Sequence, residues 1–173
     1  MKRLTAFHLT YGIILAIATL LYIAAEFLLA ARTSNPILGT FTYLFAIVVP
    51  ITILTIALKQ RIFLTGALTF LQSVKSGFLI SLISGTITGI GTALIVYFSP
   101  TLISDYFTFV VVKMQEAGES QQAIDNAVSN LTNLYTPSTQ GVMMFISSIT
   151  GGTAISAIIG LILRRKKMKP TKA

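Results

Sequence analysis

Residues 77–98 read GFLISLISGTITGIGTALIVYF, with no charged side chain among them. A helix that crosses about 30 Å of hydrocarbon needs roughly 20 mainly apolar residues, and this stretch supplies them. Residues 9–31, 37–58 and 141–163 meet the same requirement. At 1.5 Å per residue each reaches about 34 Å, enough to span with some tilt. The first run follows Met1-Lys2-Arg3, as the apolar core of a signal peptide would. It is longer than the roughly 7–15 residues of such a core, so it reads as a retained span.

The composition agrees. Hydrophobic residues make up 54% of the 173 positions and charged residues 10%, with a mean hydropathy of +0.81. Soluble domains carry about 25% charged residues, so most faces of this chain are solvated by lipid. Residues 1–173 are expected to form one all-α integral membrane domain of four transmembrane helices. The net charge of +8 sits in short clusters between apolar runs, which marks topology rather than nucleic-acid binding. There is no cysteine, hence no disulfide and no thiolate chemistry.

Lysine and arginine give the expected orientation. All 13 except Arg32 and Lys113 fall on one side of the four spans, including the basic tail at 164–173. The positive-inside rule then puts both termini in the cytoplasm. Asp105, Glu116, Glu119 and Asp125 all fall in the long loop on the other side.

Two connections carry patterns of their own. In residues 61–76, Arg61, Thr65, Thr69, Gln72 and Ser76 recur at helical spacing opposite Ile62, Leu68 and Leu71. This predicts a short interfacial helix before helix three, either a plain elbow or a surface for lipid or a partner. In the loop between helices three and four, residues 101–135 predict an extracytoplasmic helical hairpin. Gly118 would end its first helix and Ser120 would cap its second. The second carries an apolar stripe containing Ile124, Val128 and Leu131, which could pack internally, rest on the leaflet or hold another protein.

Small residues recur every fourth position in two spans: Ser81, Gly85 and Gly89, then Ser148, Gly152, Ser156 and Gly160. Helices in lipid associate where small side chains let backbones approach, so spans three and four are expected to meet along these rows. Self-association through one row is the alternative. Pro50 is expected to kink span two.

Glu26 is the only acidic residue inside a span. It could line a proton or cation path, or anchor the helix near the interface. His8 lies about 27 Å away along the same helix, so the two cannot pair. No catalytic constellation, metal-ligand spacing or cofactor motif emerges, and no enzyme activity is expected.

Tyr11-Gly12 opens span one, and Phe70, Gln72, Lys75 and Gly77 lead into span three; Met114, Gly118-Glu119-Ser120 and Pro137 precede the last span. In these features nearly the whole chain resembles the Bacteroidota family catalogued as domain of unknown function 4199. The resemblance implies an inner-membrane location and a four-span fold, and it supplies no activity. The expected role is that of a non-enzymatic accessory or regulatory subunit in a larger membrane assembly. The alternative is a small oligomeric transporter or channel that uses Glu26. Expected partners are the bilayer, anionic lipid headgroups at the cytoplasmic face, and other membrane subunits or a second copy; no nucleic acid is expected.

Overall fold

The computed structural model describes residues 2–30 and 36–164, with side chains for residues 4–25, 46–101 and 103–163. The described residues form helices α1 (Lys2–Ala30), α2 (Pro36–Thr65), α3 (Phe70–Phe98), α4 (Pro100–Glu116), α5 (Gln121–Leu134) and α6 (Pro137–Arg164). Proline opens α2, α4 and α6. At the first helical position its missing N–H has no intrahelical partner to lose, and its fixed φ suits the helix. Four helices are long and apolar enough to cross a membrane: α1, α2, α3 and α6.

Several hydroxyl groups within these apolar helices are satisfied locally. Thr10, Thr19, Thr52, Thr86 and Thr150 each donate to the carbonyl four residues earlier, at 2.8–2.9 Å. Such back-bonding hides a polar group from lipid, which offers no partner of its own. Threonine therefore interrupts the hydropathy of a span without marking a polar path.

Helix α3 is the centre of the molecule, with 44% of its span buried against 17% for α2. Along α1, His8 meets Ser76, Gly12 meets Ile83, and Leu20 meets Gly91, so α1 and α3 run in the same direction. Along α6, Gly160 meets Ser73, Gly152 meets Ser81, and Gly141 meets Gly89, so α6 runs opposite to α3. Tyr11 of α1 donates to Gln60 near the end of α2. The start of α1, the end of α2, the start of α3 and the end of α6 therefore share one end of the bundle. Phe7, Leu15, Leu54, Leu58, Ile80 and Ile159 form the apolar core.

Residues 61–76 do not form the expected interfacial helix. Residues 61–65 end α2, residues 66–69 turn, and residues 70–76 begin α3. Gly66 has φ +75°, a left-handed conformation that ends a right-handed helix, and its N–H closes α2 on Ile62 O at 2.8 Å. Thr69 then caps α3 reciprocally: its hydroxyl accepts from Gln72 N–H, and Gln72 Oε1 accepts from Thr69 N–H at 3.0 Å. The polar stripe consists of the fastenings of a tight turn. Consequently α2 and α3 each run farther toward this end than hydropathy suggested, and α1 begins at Lys2 rather than near residue 9.

From the opposite end of α3 the chain enters α4 and α5. Gly118, with φ +74°, ends this first helix, and the Ser120 hydroxyl caps the next by accepting from Ala123 N–H. The Tyr135 ring lies 5.4 Å from that of Tyr106 and 5.8 Å from that of Phe107. The beginning of α4 thus rests against the end of α5.

Candidate functional site

Two arrangements of polar side chains stand out. The first is the seam between α3 and α6. The predicted residues meet there in pairs: Ser81 faces Gly152, Gly85 faces Ser148, and Gly89 approaches Phe145 and the carbonyl of Gly141. Ser156 faces Gly77, and Gly160 faces Ser73. Gly77, Ser73 and Gly141 were not among the predicted residues, although Ser73 and Gly77 continue the four-residue row that leads to Ser81. Hydrogen bonds cross the seam from the Ser73 hydroxyl to Ser156 O at 2.8 Å, and between Thr88 and Ser148 hydroxyls at 3.3 Å. The hydroxyls of Ser81, Thr92, Thr153 and Ser156 are buried without a partner among the described residues.

This seam is a contact, not a conduit. A Cβ added at Gly89 would come within 2.8 Å of Gly141 O, so no water column fits between the helices. Beside the seam lies a cavity of about 240 Å³ bordered by Thr19, Pro50, Ser84, Ser147 and Ser148 among apolar side chains. That volume falls below the roughly 300–1,000 Å³ of ordinary small-molecule pockets.

The second arrangement is at the α2–α3 elbow. Arg61 lies in the last turns of α2, is only 9% exposed, and donates from Nη1 to Gln72 O at 2.7 Å. His8 Nε2 lies 3.3 Å from the hydroxyl of fully buried Ser76, while Lys75 stands exposed beside Ser76. Three helices therefore bring the His8 imidazole within electrostatic reach of Arg61 and Lys75. Spacing along the chain could not reveal this, because His8 and Ser76 are 68 residues apart.

The remaining predicted residues stand apart from both. Glu26 belongs to α1, toward the end of the bundle away from His8, and its side chain lies outside the described residues. The basic tail at 165–173 also lies outside them. Ile124 is not an open docking surface: at 4% exposure it is already covered within the chain, and Val128 and Leu131 are half-buried. The apolar stripe of α5 turns inward because α5 packs on both α4 and α6. Among the described residues no group of three or more His, Asp or Glu side chains could hold a metal ion.

Residues 10–165 match the family described as "Protein of unknown function (DUF4199)". The chain belongs to this family. The match runs from the residue before Tyr11 to just past the end of α6, so α1 from residue 10 onward, the other three apolar helices and the α4–α5 pair are parts of the DUF4199 unit. No curated protein and no solved structure matches this DUF4199 chain.

Proposed function

We propose that the protein is a non-enzymatic accessory or regulatory subunit of a larger assembly in a bacterial inner membrane. Both termini face the cytoplasm, and α4 and α5 form a hairpin on the outer side. The orientation draws on charge: Lys59, Arg61 and Lys75 share the end of the bundle where α1 begins, whereas the acids of residues 105–125 follow from the far end of α3.

The observation that carries the role is an imbalance of burial. The α3–α6 seam is closed at backbone contact, while the apolar stretch Ala46–Thr65 of α2 is only 17% buried. Ile47, Val48, Ile51 and Ile56 all stand exposed along α2. A helix so weakly covered by its own chain has a face to give to another transmembrane segment. Packing in lipid rewards such shape matching between helices. Affinity purification from native membranes in mild detergent, with mass spectrometry of co-purifying chains, tests this. A defined membrane partner lost on Ile51→Trp and Ile56→Trp in α2 supports the role; recovery of the chain alone overturns it.

The competing reading is a small oligomeric transporter or channel. It draws on Glu26, the one acidic residue within the four long apolar helices. Its path would not run through the α3–α6 seam, which leaves no room for one.

A further inference from the structure

The elbow holds a buried cation without an anion. The hydrogen bond to Gln72 O is the only one the Arg61 side chain makes among the described residues, and Arg61 Nε is buried with no partner. A guanidinium has five N–H donors, and a neutral carbonyl occupies one without cancelling the charge. Lys75 and His8 add positive and polar character beside it, and among the described residues neither makes an ion pair with an acid. The five acidic residues of the sequence are Glu26, Asp105, Glu116, Glu119 and Asp125. Glu26 lies about 27 Å along α1 from His8, and the other four belong to the segment that follows from the far end of α3. An unpaired charge buried in protein is strongly disfavoured. Among the described residues none supplies the counter-charge.

We propose that the α2–α3 elbow binds one phosphate group, with Arg61 as its buried donor and Lys75 as its exposed one, and that an anionic phospholipid supplies it. Arginine's planar fork suits a tetrahedral oxyanion, and lysine adds a mobile point charge. The apolar surroundings favour lipid over a soluble anion. Phe63 is 88% exposed and Leu71 74% exposed, on the two helices that flank the turn. They offer acyl chains a surface next to the headgroup site. The inference rests on the membrane-spanning fold and is independent of the accessory-subunit reading.

The test uses the full chain, delipidated in mild detergent. Thermal unfolding is followed with added phosphatidylglycerol, phosphatidylcholine or inorganic phosphate, and native mass spectrometry counts retained lipid. Phosphatidylglycerol is expected to raise the midpoint most and to remain bound at one per chain. Lys75→Gln, at an exposed position, should leave the lipid-free midpoint unchanged and weaken phosphatidylglycerol binding roughly five-fold. Arg61→Gln should abolish retention. If that variant fails to fold, the Lys75→Gln comparison still decides. Equal stabilisation by inorganic phosphate would overturn lipid as the source while keeping the phosphate site. Equal effects of the two lipids, together with indifference to Lys75→Gln, would overturn the site itself.

Discussion

Gly89 and Gly141 touch backbone to backbone: a Cβ on either would come within 2.9 Å of the other's carbonyl oxygen. This pair marks one end of the α3–α6 seam, and Gly160 against Ser73 marks the other. Between these ends α3 advances about 24 Å at 1.5 Å per residue, most of the hydrocarbon thickness. Close approach over such a length is what lets two helices hold together where lipid is as apolar as they are.

Neighbouring glycines of α6 should therefore respond in opposite ways to the same substitution. Gly152 is buried against Ser81, and any side chain there overlaps its hydroxyl; Gly151 has nothing within 4 Å of an added Cβ. Gly152→Leu should separate the helices and destabilise by about 1–3 kcal/mol or more, as overpacking does. Gly151→Leu should be neutral. Thermal unfolding of both variants in one detergent measures the difference, and equal midpoints would show that the seam does not govern stability. Gly85→Leu, which meets Phe145 O and Ser148 at 3.1 Å, should resemble Gly152→Leu.

The spans and the seam were readable because each rests on a local or periodic signal. Hydropathy exposes an apolar run wherever it occurs, and a row such as Ser81-Gly85-Gly89 lies on one face of any helix that contains it. The elbow was misread for the same reason. Arg61, Thr65, Thr69, Gln72 and Ser76 keep helical spacing, but spacing is silent about Gly66 adopting φ +75°. The correcting signal was present in Thr69-x-x-Gln72, a capping-box pattern that announces a new helix. The Arg61 cluster had no such signal, since His8, Arg61 and Ser76 come from three helices and meet only after the bundle forms. For Ile124 the choice stayed open because an amphipathic stripe tells which residues want cover, not whether the chain itself supplies it.

Two substitutions probe the elbow directly. Thr69→Ala removes the hydroxyl that accepts from Gln72 N–H and should cost about 0.5–2 kcal/mol, as loss of an N-cap does. Gly66→Val forces a β-branched residue into a left-handed conformation, although space there is open, so its penalty is backbone strain of about 1–3 kcal/mol. Unfolding midpoints check both. Unchanged stability in Gly66→Val would show that the turn relaxes freely, contrary to its role in ending α2.

Topology can be tested cleanly because the sequence contains no cysteine. Single cysteines at Ala67, in the α2–α3 turn, and at Glu119, between α4 and α5, should differ in labelling by a membrane-impermeant maleimide. In intact spheroplasts Glu119→Cys should react and Ala67→Cys should be protected until the membrane is opened. The reverse pattern would invert the proposed orientation, and labelling of both without lysis would break the four-span topology.

The choice between subunit and transporter turns on Glu26 and on the α4–α5 pair. If Glu26 carries protons or cations, Glu26→Gln should abolish transport while preserving the fold, because an amide keeps the shape but cannot titrate. If Glu26 only anchors α1 near the interface, Gln should be tolerated, since a neutral amide is easier to bury than a carboxylate. The subunit reading makes the exposed face of α2 sensitive instead, together with exposed positions of α4 and α5 where a partner also reaches them. Leu134 is 44% exposed and Val112 42%, so Leu134→Asp and Val112→Asp place a charge on a surface without entering the core. They should release a partner bound there and leave the midpoint within about 0.5 kcal/mol of the parent. Ile124→Asp is the contrasting control: at 4% exposure it buries an unpaired carboxylate and should disrupt the packing of α5 itself. Pull-downs and proteoliposome flux measurements on the same four variants separate the readings. Proton or cation flux in the parent that disappears with Glu26→Gln, alongside pull-downs that recover the chain alone, would sink the subunit reading. Loss of a partner with either surface change, and no flux in the parent, would sink the transporter.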